Sequence, residues 1–163
     1  MINSNKALFL DRDGVINRER GEYTFLVEDF EILPTVIPTL KLAQKLGYLL
    51  IIITNQGGIA KGLYSHQDVE NCHSYLKEEL HKEGIILTDV FYSPHHQDYS
   101  KSLDRKPGSL MLEKAMAIHK VDPHISYMVG DSLRDIEASE AVSVKGFLIK
   151  PNSNLEFLRT HLS

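Results

Sequence analysis

Residues 8 to 17 read LFLDRDGVIN, and this stretch decides the fold. Its apolar run, Leu8 to Leu10, is typical of a buried strand. The run ends directly in two aspartates one residue apart, Asp11 and Asp13, and then in Gly14. Two carboxylates this close repel each other, and burial strengthens the repulsion. We therefore expect them at the mouth of a buried strand, with a compensating interaction nearby.

Four further apolar runs follow along the chain, and several are continuous, as in strands that are covered on both faces of a parallel sheet. With the first, they span residues 7–10, 48–53, 89–92, 126–129 and 144–149. Segments of helical period lie between them, at residues 36–47, 65–84, 110–119 and 132–141. Strands that alternate with helices predict an α/β fold with a doubly wound, mostly parallel sheet. Because no repeat, low-complexity tract or linker interrupts the pattern, we expect one domain over residues 1–163.

Composition excludes several classes of protein. A formal net charge of −4 argues against a broad surface for nucleic acid. The single cysteine, Cys72, excludes an internal disulfide and a cysteine-based zinc site. The longest apolar run is too short to cross a membrane, and the opening MINSNKA lacks the build of a signal peptide. We expect a cytoplasmic, monomeric protein.

Polar groups suited to phosphate or metal follow four of the five predicted strands. They are Asp11 and Asp13, then Thr54 to Gly58, then Arg105 and Lys106, and finally Asp131. In doubly wound sheets, ligands bind at the carboxyl ends of the strands. The sequence therefore predicts that these groups form a single site.

The acidic groups predict a metal. Asp11, Asp13 and Asp131 could not converge without a cation, and hard oxygen ligands favour Mg²⁺. The alternative for Asp11 and Asp13 alone is a surface turn that binds no metal.

A carboxylate next to a metal-bound phosphate can attack phosphorus and form an aspartyl-phosphate. We predict Asp11 as this nucleophile and Asp13 as the group that protonates the leaving oxygen and later activates water, provided that the pKa of Asp13 is raised. Thr54, the backbone amides of Thr54 and Asn55, and Lys106 could hold the transferred group. Loop capping by Thr54 and Asn55, and a solvated charge pair at Arg105 and Lys106, remain the alternatives.

The glycine-rich stretch 57–62 does not match a nucleotide P-loop, because Lys61 precedes Gly62 and Leu63 follows it. A phospho-accepting receiver domain also combines acidic residues, Thr and Lys on such a sheet. Asp13, placed to activate water, argues against storage of the phosphate.

The four groups resemble, in order, the motifs of the haloacid dehalogenase (HAD)-like phosphatases. The finer strings DRDGVIN, TNQGGIAKG, DRKP and YMVGDSLRD are similar to the branch of the D,D-heptose 1,7-bisphosphate and histidinol-phosphate phosphatases, nearer the former. The resemblance implies a Mg²⁺-dependent phosphatase for a small phosphorylated sugar, in ADP-heptose and lipopolysaccharide core synthesis, without a substantial cap domain. Histidinol phosphate is the rival substrate.

The resemblance also assigns roles. It implies that Asp11 is the nucleophile, that Asp13 is the acid/base, and that Thr54 and Lys106 hold the phosphoryl group. Metal binding falls to Asp11, Asp131 and the backbone carbonyl of Asp13. The residues implied to bind substrate are Glu19, Arg20, Gly21, Tyr23, Thr54, Asn55, Gln56, Gly57, Arg105, Lys106 and Ser132.

One loop departs from the family pattern. Where that branch carries three cysteines and a histidine for zinc, this chain has Ser93, His95, Ser102 and Asp104. We therefore expect no structural zinc and a loop that is ordered by its own packing.

Overall fold

The computed structural model describes residues 4–163. Its five strands form one parallel sheet, ordered β3-β2-β1-β4-β5. The strands are β1 (Lys6–Leu10), β2 (Tyr48–Asn55), β3 (Asp89–Ser93), β4 (Tyr127–Gly130) and β5 (Lys145–Leu148). The order reverses between β1 and β4, which is where doubly wound sheets bind ligands.

Four helices cover the sheet on both faces. They are α1 (Val36–Lys45), α2 (His66–Lys82), α3 (Leu110–His119) and α4 (Leu133–Glu140). Two capping boxes, in which the N-cap serine and an aspartate three residues later bond each other's backbone, start α2 at Ser65 and α4 at Ser132. Helix α1 ends at a turn in which Gly47 takes a φ of 88°, a conformation that glycine adopts without strain.

Alternate residues of the central strands feed two separate cores. Leu8 and Leu10 pack with α1 and α2 on one face, whereas Ala7 and Phe9 pack with α3 and α4 on the other. All four side chains are fully buried. A strand covered on both faces must be apolar throughout, which explains the continuous run that precedes Asp11.

The predicted elements are confirmed, with ends that shift by one or two residues. Helix α3 has the predicted bounds, and β2 runs two residues further than predicted, so that Thr54 and Asn55 are its last residues. Within residues 4–163, no segment of the size of a cap domain interrupts the fold. None of the described helices is long and apolar enough to span a membrane. Residues 1–3 of the opening MINSNKA lie outside the described range.

Candidate active site

The four predicted strand ends meet at one place. Lys106 extends its ammonium group between them, so that Nζ lies 2.9 Å from Oδ1 of Asp11, 2.7 Å from the carbonyl oxygen of Ile53 and 2.5 Å from Oδ1 of Asp135. The Lys106 side chain is 3% exposed. One buried cation therefore ties the end of β1 and the last residues of β2 to the first turn of α4.

Three carboxylates surround the same point. Oxygen atoms of Asp11, Asp131 and Asp135 lie within 4.8 Å of one another. Gly14 admits Asp131 to this cluster, because a Cβ at Gly14 would lie 2.1 Å from Oδ2 of Asp131. Three carboxylates face one ammonium group, and a divalent cation would balance the remaining negative charge.

The free oxygens identify the groups that could hold such a cation. Asp135 uses Oδ1 on Lys106 and accepts the backbone N–H of Ser132 at Oδ2, 3.1 Å away. Within residues 4–163, the backbone carbonyl of Asp13 accepts no hydrogen bond, and the Asp131 carboxylate faces that of Asp11. Hard oxygen ligands of this kind suit Mg²⁺, so metal binding by Asp11, Asp13 and Asp131 stays a prediction that the geometry fits.

The electrostatics of Asp11 follow from this crowding. Burial raises the pKa of the Asp11 carboxyl, the Lys106 ammonium lowers it, and the charges of Asp135 and Asp131 raise it again, so that the pKa lies well above its ordinary value. Burial lowers the pKa of Lys106, but Asp11 and Asp135 outweigh burial and raise it. Lys106 is therefore charged, while Asp11 needs a further positive charge to ionise fully.

Asp13 has a different environment. Its Oδ1 accepts hydrogen bonds from Arg12 at 3.0 Å and Asn17 at 2.9 Å, and its Oδ2 accepts one from Gln56 at 3.1 Å. Burial raises the pKa of Asp13, but the charge of Arg12 and these three hydrogen bonds outweigh it, and the net pKa is lowered. The condition of a raised pKa, on which the acid role of Asp13 depends, is therefore not met in this structure without substrate.

The charge that holds Asp13 is itself buried. The Arg12 side chain is fully buried, donates to the carbonyl oxygen of Thr24 at 2.7 Å and lies 3.4 Å from Nε2 of His73. Burial, and then the charge of Arg12, lower the pKa of His73 to about 3. His73 is therefore a neutral ring that can accept a hydrogen bond from Arg12.

A cavity of about 580 Å³ opens over the carboxylates. Eleven of the predicted site residues line it in this structure: Asp11, Asp13, Glu19, Gly21, Tyr23, Asn55, Gly57, Arg105, Lys106, Asp131 and Ser132. The structure therefore brings together most of the residues that the resemblance assigned to catalysis and to substrate.

Two predicted substrate contacts are corrected. Gln56 is 2% exposed, and its amide is used inside the protein by Asp13, Thr54 and Tyr64. Arg20 turns to Glu22 at 2.6 Å and Asp29 at 3.2 Å, outside the cavity lining. Gln56 is therefore closed off from the cavity, and the Arg20 guanidinium is directed to Glu22 and Asp29.

Thr54 and Asn55 hold other groups of the site. The Thr54 hydroxyl is buried and accepts a hydrogen bond from Gln56 at 3.0 Å, so its contact with a phosphoryl group stays a prediction. Asn55 clamps the backbone of Lys106: its Oδ1 accepts the Lys106 N–H at 2.9 Å and its Nδ2 donates to the Lys106 carbonyl at 3.1 Å. The clamp fixes where the Lys106 side chain starts.

Sequence reasoning left several cavity residues without a role: His96, Gln97, Arg134 and Asp135. The spacing Ser132-x-x-Asp135 was a signal for Asp135, since it is that of a capping box. Arg134 stands in the first turn of α4, next to Ser132, and carried no such signal.

The loop that contains Ser93, His95, Ser102 and Asp104 is ordered around the Asp104 carboxylate. Its Oδ1 accepts hydrogen bonds from the hydroxyls of Ser93 at 2.7 Å and Ser102 at 2.5 Å, and its Oδ2 lies 3.8 Å from Nε2 of His95. The next residue, Arg105, donates from Nη1 to the carbonyl oxygen of His95 at 3.0 Å. These hydrogen bonds close the loop and aim Arg105 into the cavity.

Known proteins resemble this chain over most of its length. Residues 103–155 match the HAD-hydrolase-like family. A D-glycero-beta-D-manno-heptose-1,7-bisphosphate 7-phosphatase from Haemophilus ducreyi is 39% identical, over 86% of this chain and 80% of its own length. A protein of the same name from Helicobacter pylori strain 26695 is 40% identical, over 91% of this chain and 85% of its own length. The crystal structure of D,D-heptose 1,7-bisphosphate phosphatase from B. bronchiseptica, complexed with magnesium and phosphate, superposes with a TM-score of 0.83 at 27% identity, over 88% of this chain and 79% of that one.

Sequence identities of this level over so much of the chain show its family, and the convergent carboxylates and lysine agree with it. The chain belongs to the HAD-like phosphatases, in the family that contains these heptose-1,7-bisphosphate 7-phosphatases.

Proposed function

We propose that this protein is a Mg²⁺-dependent phosphatase that removes the 7-phosphate of D-glycero-D-manno-heptose 1,7-bisphosphate through an aspartyl-phosphate. The observation that carries the proposal is the cluster in which Lys106 holds Asp11 beside Asp131, at the floor of a cavity that Asp13 also lines. The names of the relatives support the substrate.

Mg²⁺ would be held by Asp11, Asp131 and the backbone carbonyl of Asp13. When bound, it supplies positive charge that draws a phosphate oxygen to the site and keeps Asp11 ionised. The fit rests on the excess of carboxylate over ammonium charge and on the backbone carbonyl of Asp13, which accepts no hydrogen bond among residues 4–163.

In the first step, a carboxylate oxygen of Asp11 attacks phosphorus, and the bond between phosphorus and the C7 oxygen of the sugar breaks. The electron pair goes to that oxygen, which takes a proton from Asp13. In the second step, water attacks the phosphorus of the aspartyl-phosphate and gives its proton to Asp13, and Asp11 leaves as a carboxylate. Lys106 stays charged throughout and offsets the charge on Asp11 and the transferred group.

The lowered pKa of Asp13 bears on this role. In the free enzyme the carboxyl is ionised, which is the form that activates water in the second step. For the first step it must carry a proton, and a phosphate dianion placed beside it raises its pKa in that direction. Substrate binding therefore prepares Asp13 for the first step.

Residues of the cavity wall would bind the sugar and its second phosphate. Arg105 and Arg134 both line the cavity, and among residues 4–163 no carboxylate lies within 4.0 Å of either guanidinium group. Charged donors without an acidic partner suit a phosphate. Glu19 and Tyr23 on the opposite loop segment offer acceptors and a ring for the sugar.

We further propose that the chain acts as one domain and as a monomer in the cytoplasm, where the product would enter ADP-heptose and lipopolysaccharide core synthesis. The groups that the mechanism uses meet within one chain, so the chemistry requires no second copy. The family resemblance supports the pathway.

Phosphate release tests the proposal. We expect the purified protein with Mg²⁺ to hydrolyse heptose 1,7-bisphosphate at C7 in preference to histidinol phosphate, and to lose turnover with EDTA. Asp11→Asn should abolish turnover, since no nucleophile remains, and Asp13→Asn should reduce it by about 10²-fold or more. Comparable rates on histidinol phosphate would refute the substrate; substantial turnover by Asp11→Asn would refute the covalent route.

A further inference from the structure

A chain of two hydrogen bonds leads from Tyr64 to Asp13. The Tyr64 hydroxyl donates to Oε1 of Gln56 at 2.8 Å, and Nε2 of Gln56 donates to Oδ2 of Asp13 at 3.1 Å. Both Tyr64 and Gln56 are buried. Nothing in the proposed catalytic steps uses Tyr64.

The two oxygens of Asp13 are held differently. Arg12 and Asn17 both bind Oδ1, whereas Gln56 is the one side chain within residues 4–163 that donates to Oδ2. The direction in which Oδ2 points therefore depends on which end of the Gln56 amide faces it. The NH₂ group attracts the carboxylate oxygen, and the amide oxygen would repel it.

Tyr64 determines which end of the Gln56 amide, the NH₂ group or the oxygen, faces Asp13. Its hydroxyl hydrogen engages the amide oxygen and so turns the NH₂ group towards Asp13. Burial raises the pKa of Tyr64 above its ordinary value, so the hydroxyl keeps its hydrogen and remains a donor. Thr54 accepts the second hydrogen of the same NH₂ group at 3.0 Å, which supports the same orientation.

The Tyr64 ring is held firmly and touches the cavity wall. It stacks on Phe25 with centroids 5.1 Å apart, and it meets the edge of Tyr23, a cavity residue, at 5.6 Å. Gly58 gives the ring its space, since a Cβ at Gly58 would lie 2.1 Å from Cε1 of Tyr64. A ring packed on three sides has little freedom to move its hydroxyl away from Gln56.

We propose that Tyr64 is a positioning residue that orients Oδ2 of Asp13 through Gln56, and so governs proton delivery to the leaving oxygen. The proposal rests on the role of Asp13 as the acid of the first step. Tyr64 does not touch the reacting atoms; it acts only through the amide.

The test compares two leaving groups. A sugar alkoxide needs a proton as it departs, whereas p-nitrophenolate leaves as a stable anion, and kcat/KM reports the steps up to this departure. Tyr64→Phe removes only the hydroxyl. It should lower kcat/KM for the sugar bisphosphate about five- to tenfold, and change kcat/KM for p-nitrophenyl phosphate by less than about twofold.

Controls separate this role from a structural one. Tyr92→Phe removes a hydroxyl that bonds His66 at 2.8 Å, away from the cavity lining, and should leave both substrates unaffected. Gln56→Leu should show the same selective loss as Tyr64→Phe, and the double variant should be no worse than Gln56→Leu, because both changes break one chain of bonds.

An equal loss on both substrates, additive losses in the double variant, or no loss in Tyr64→Phe would each overturn the proposal. Asp13→Asn tells these results apart from a failure of the proposed function. If Asp13→Asn abolishes sugar phosphate hydrolysis and Tyr64→Phe does not alter it, the role of Tyr64 alone is refuted. If Asp13→Asn retains turnover, the role of Asp13 as the acid is refuted first.

Discussion

Replacement of Lys106 by methionine is expected to destabilise the protein strongly, because methionine keeps the length of the side chain and removes its charge. The Lys106 side chain is 3% exposed and that of Asp135 is 2% exposed, so solvent screens their interaction little. Removing one partner of such a buried pair costs about 3–5 kcal/mol, since the remaining carboxylates stay buried without compensation. This is a large part of the roughly 5–15 kcal/mol that stabilises an ordinary domain.

Urea unfolding followed by circular dichroism, after removal of metal with EDTA, measures the loss. Mg²⁺ at about a hundredfold excess over its dissociation constant should return about 2.7 kcal/mol to any variant that still binds it. The double variant Lys106→Met/Asp135→Asn should recover part of the loss, because one of the stranded charges is gone. Lys114→Met, on the exposed side of α3, is the matched control and should stay within about 0.5 kcal/mol of the parent.

The pH dependence provides an internal check. Without Lys106, the pKa of Asp11 should rise further, so the folded variant takes up a proton as the pH falls and its deficit against the parent shrinks. A deficit below about 1 kcal/mol at neutral pH, or one that grows on acidification, would refute the view that Lys106 neutralises this cluster.

Three further predictions concern the residues around the cluster. Asp104→Ala should raise KM for the bisphosphate several-fold with a smaller effect on kcat. It should also lower the free energy of unfolding in urea by about 1–3 kcal/mol, since the buried Ser93 hydroxyl loses its acceptor. Asp98→Ala, in the same loop, is the control, and equal effects of the two variants would contradict the role of Asp104. Arg134→Ala should weaken binding of the bisphosphate more than that of a monophosphate in equilibrium titrations, whereas a uniform change would argue against a contact with the second phosphate. His73→Gln should reduce the loss of stability on acidification. The pKa of His73 is about 3 in the folded protein and 6.5 in the unfolded chain, so the parent loses up to about 1.4 kcal/mol of unfolding free energy per pH unit between these values. An unchanged slope of unfolding free energy against pH would disprove the buried neutral ring.

The strands, and the site residues at their carboxyl ends, could be predicted from the sequence because they depend on local patterns. Continuous apolar runs identified the strands, and the parallel order placed their carboxyl ends together, so Asp11, Lys106 and Asp131 could be assigned to one place before any coordinates. The helical segments predicted at residues 65–84 and 132–141 likewise begin within one residue of the observed starts of α2 and α4.

The sequence did not show which way the side chains turn once the strands end. Thr54 and Gln56 are buried while Asn55 faces the cavity, so the alternation of β2 continues one residue past the strand, and Gln56 was misassigned to the substrate. Arg12 was not assigned at all, because arginine is rarely fully buried, yet it sets the pKa of Asp13. Such effects depend on residues that are far apart in sequence and meet only after folding.

Strand β1, which delivers Asp11, is the middle strand of five, with β2 and β4 paired on either side of it. Amides at the centre of such a sheet exchange their hydrogens only when the whole domain opens, whereas edge strands and loops open separately and at lower cost. Arg105 follows the edge strand β3, by way of the loop that Asp104 closes. In mild urea we therefore expect substrate binding to weaken before catalysis is lost. KM should rise while kcat persists, and kcat should fall only when the domain as a whole unfolds.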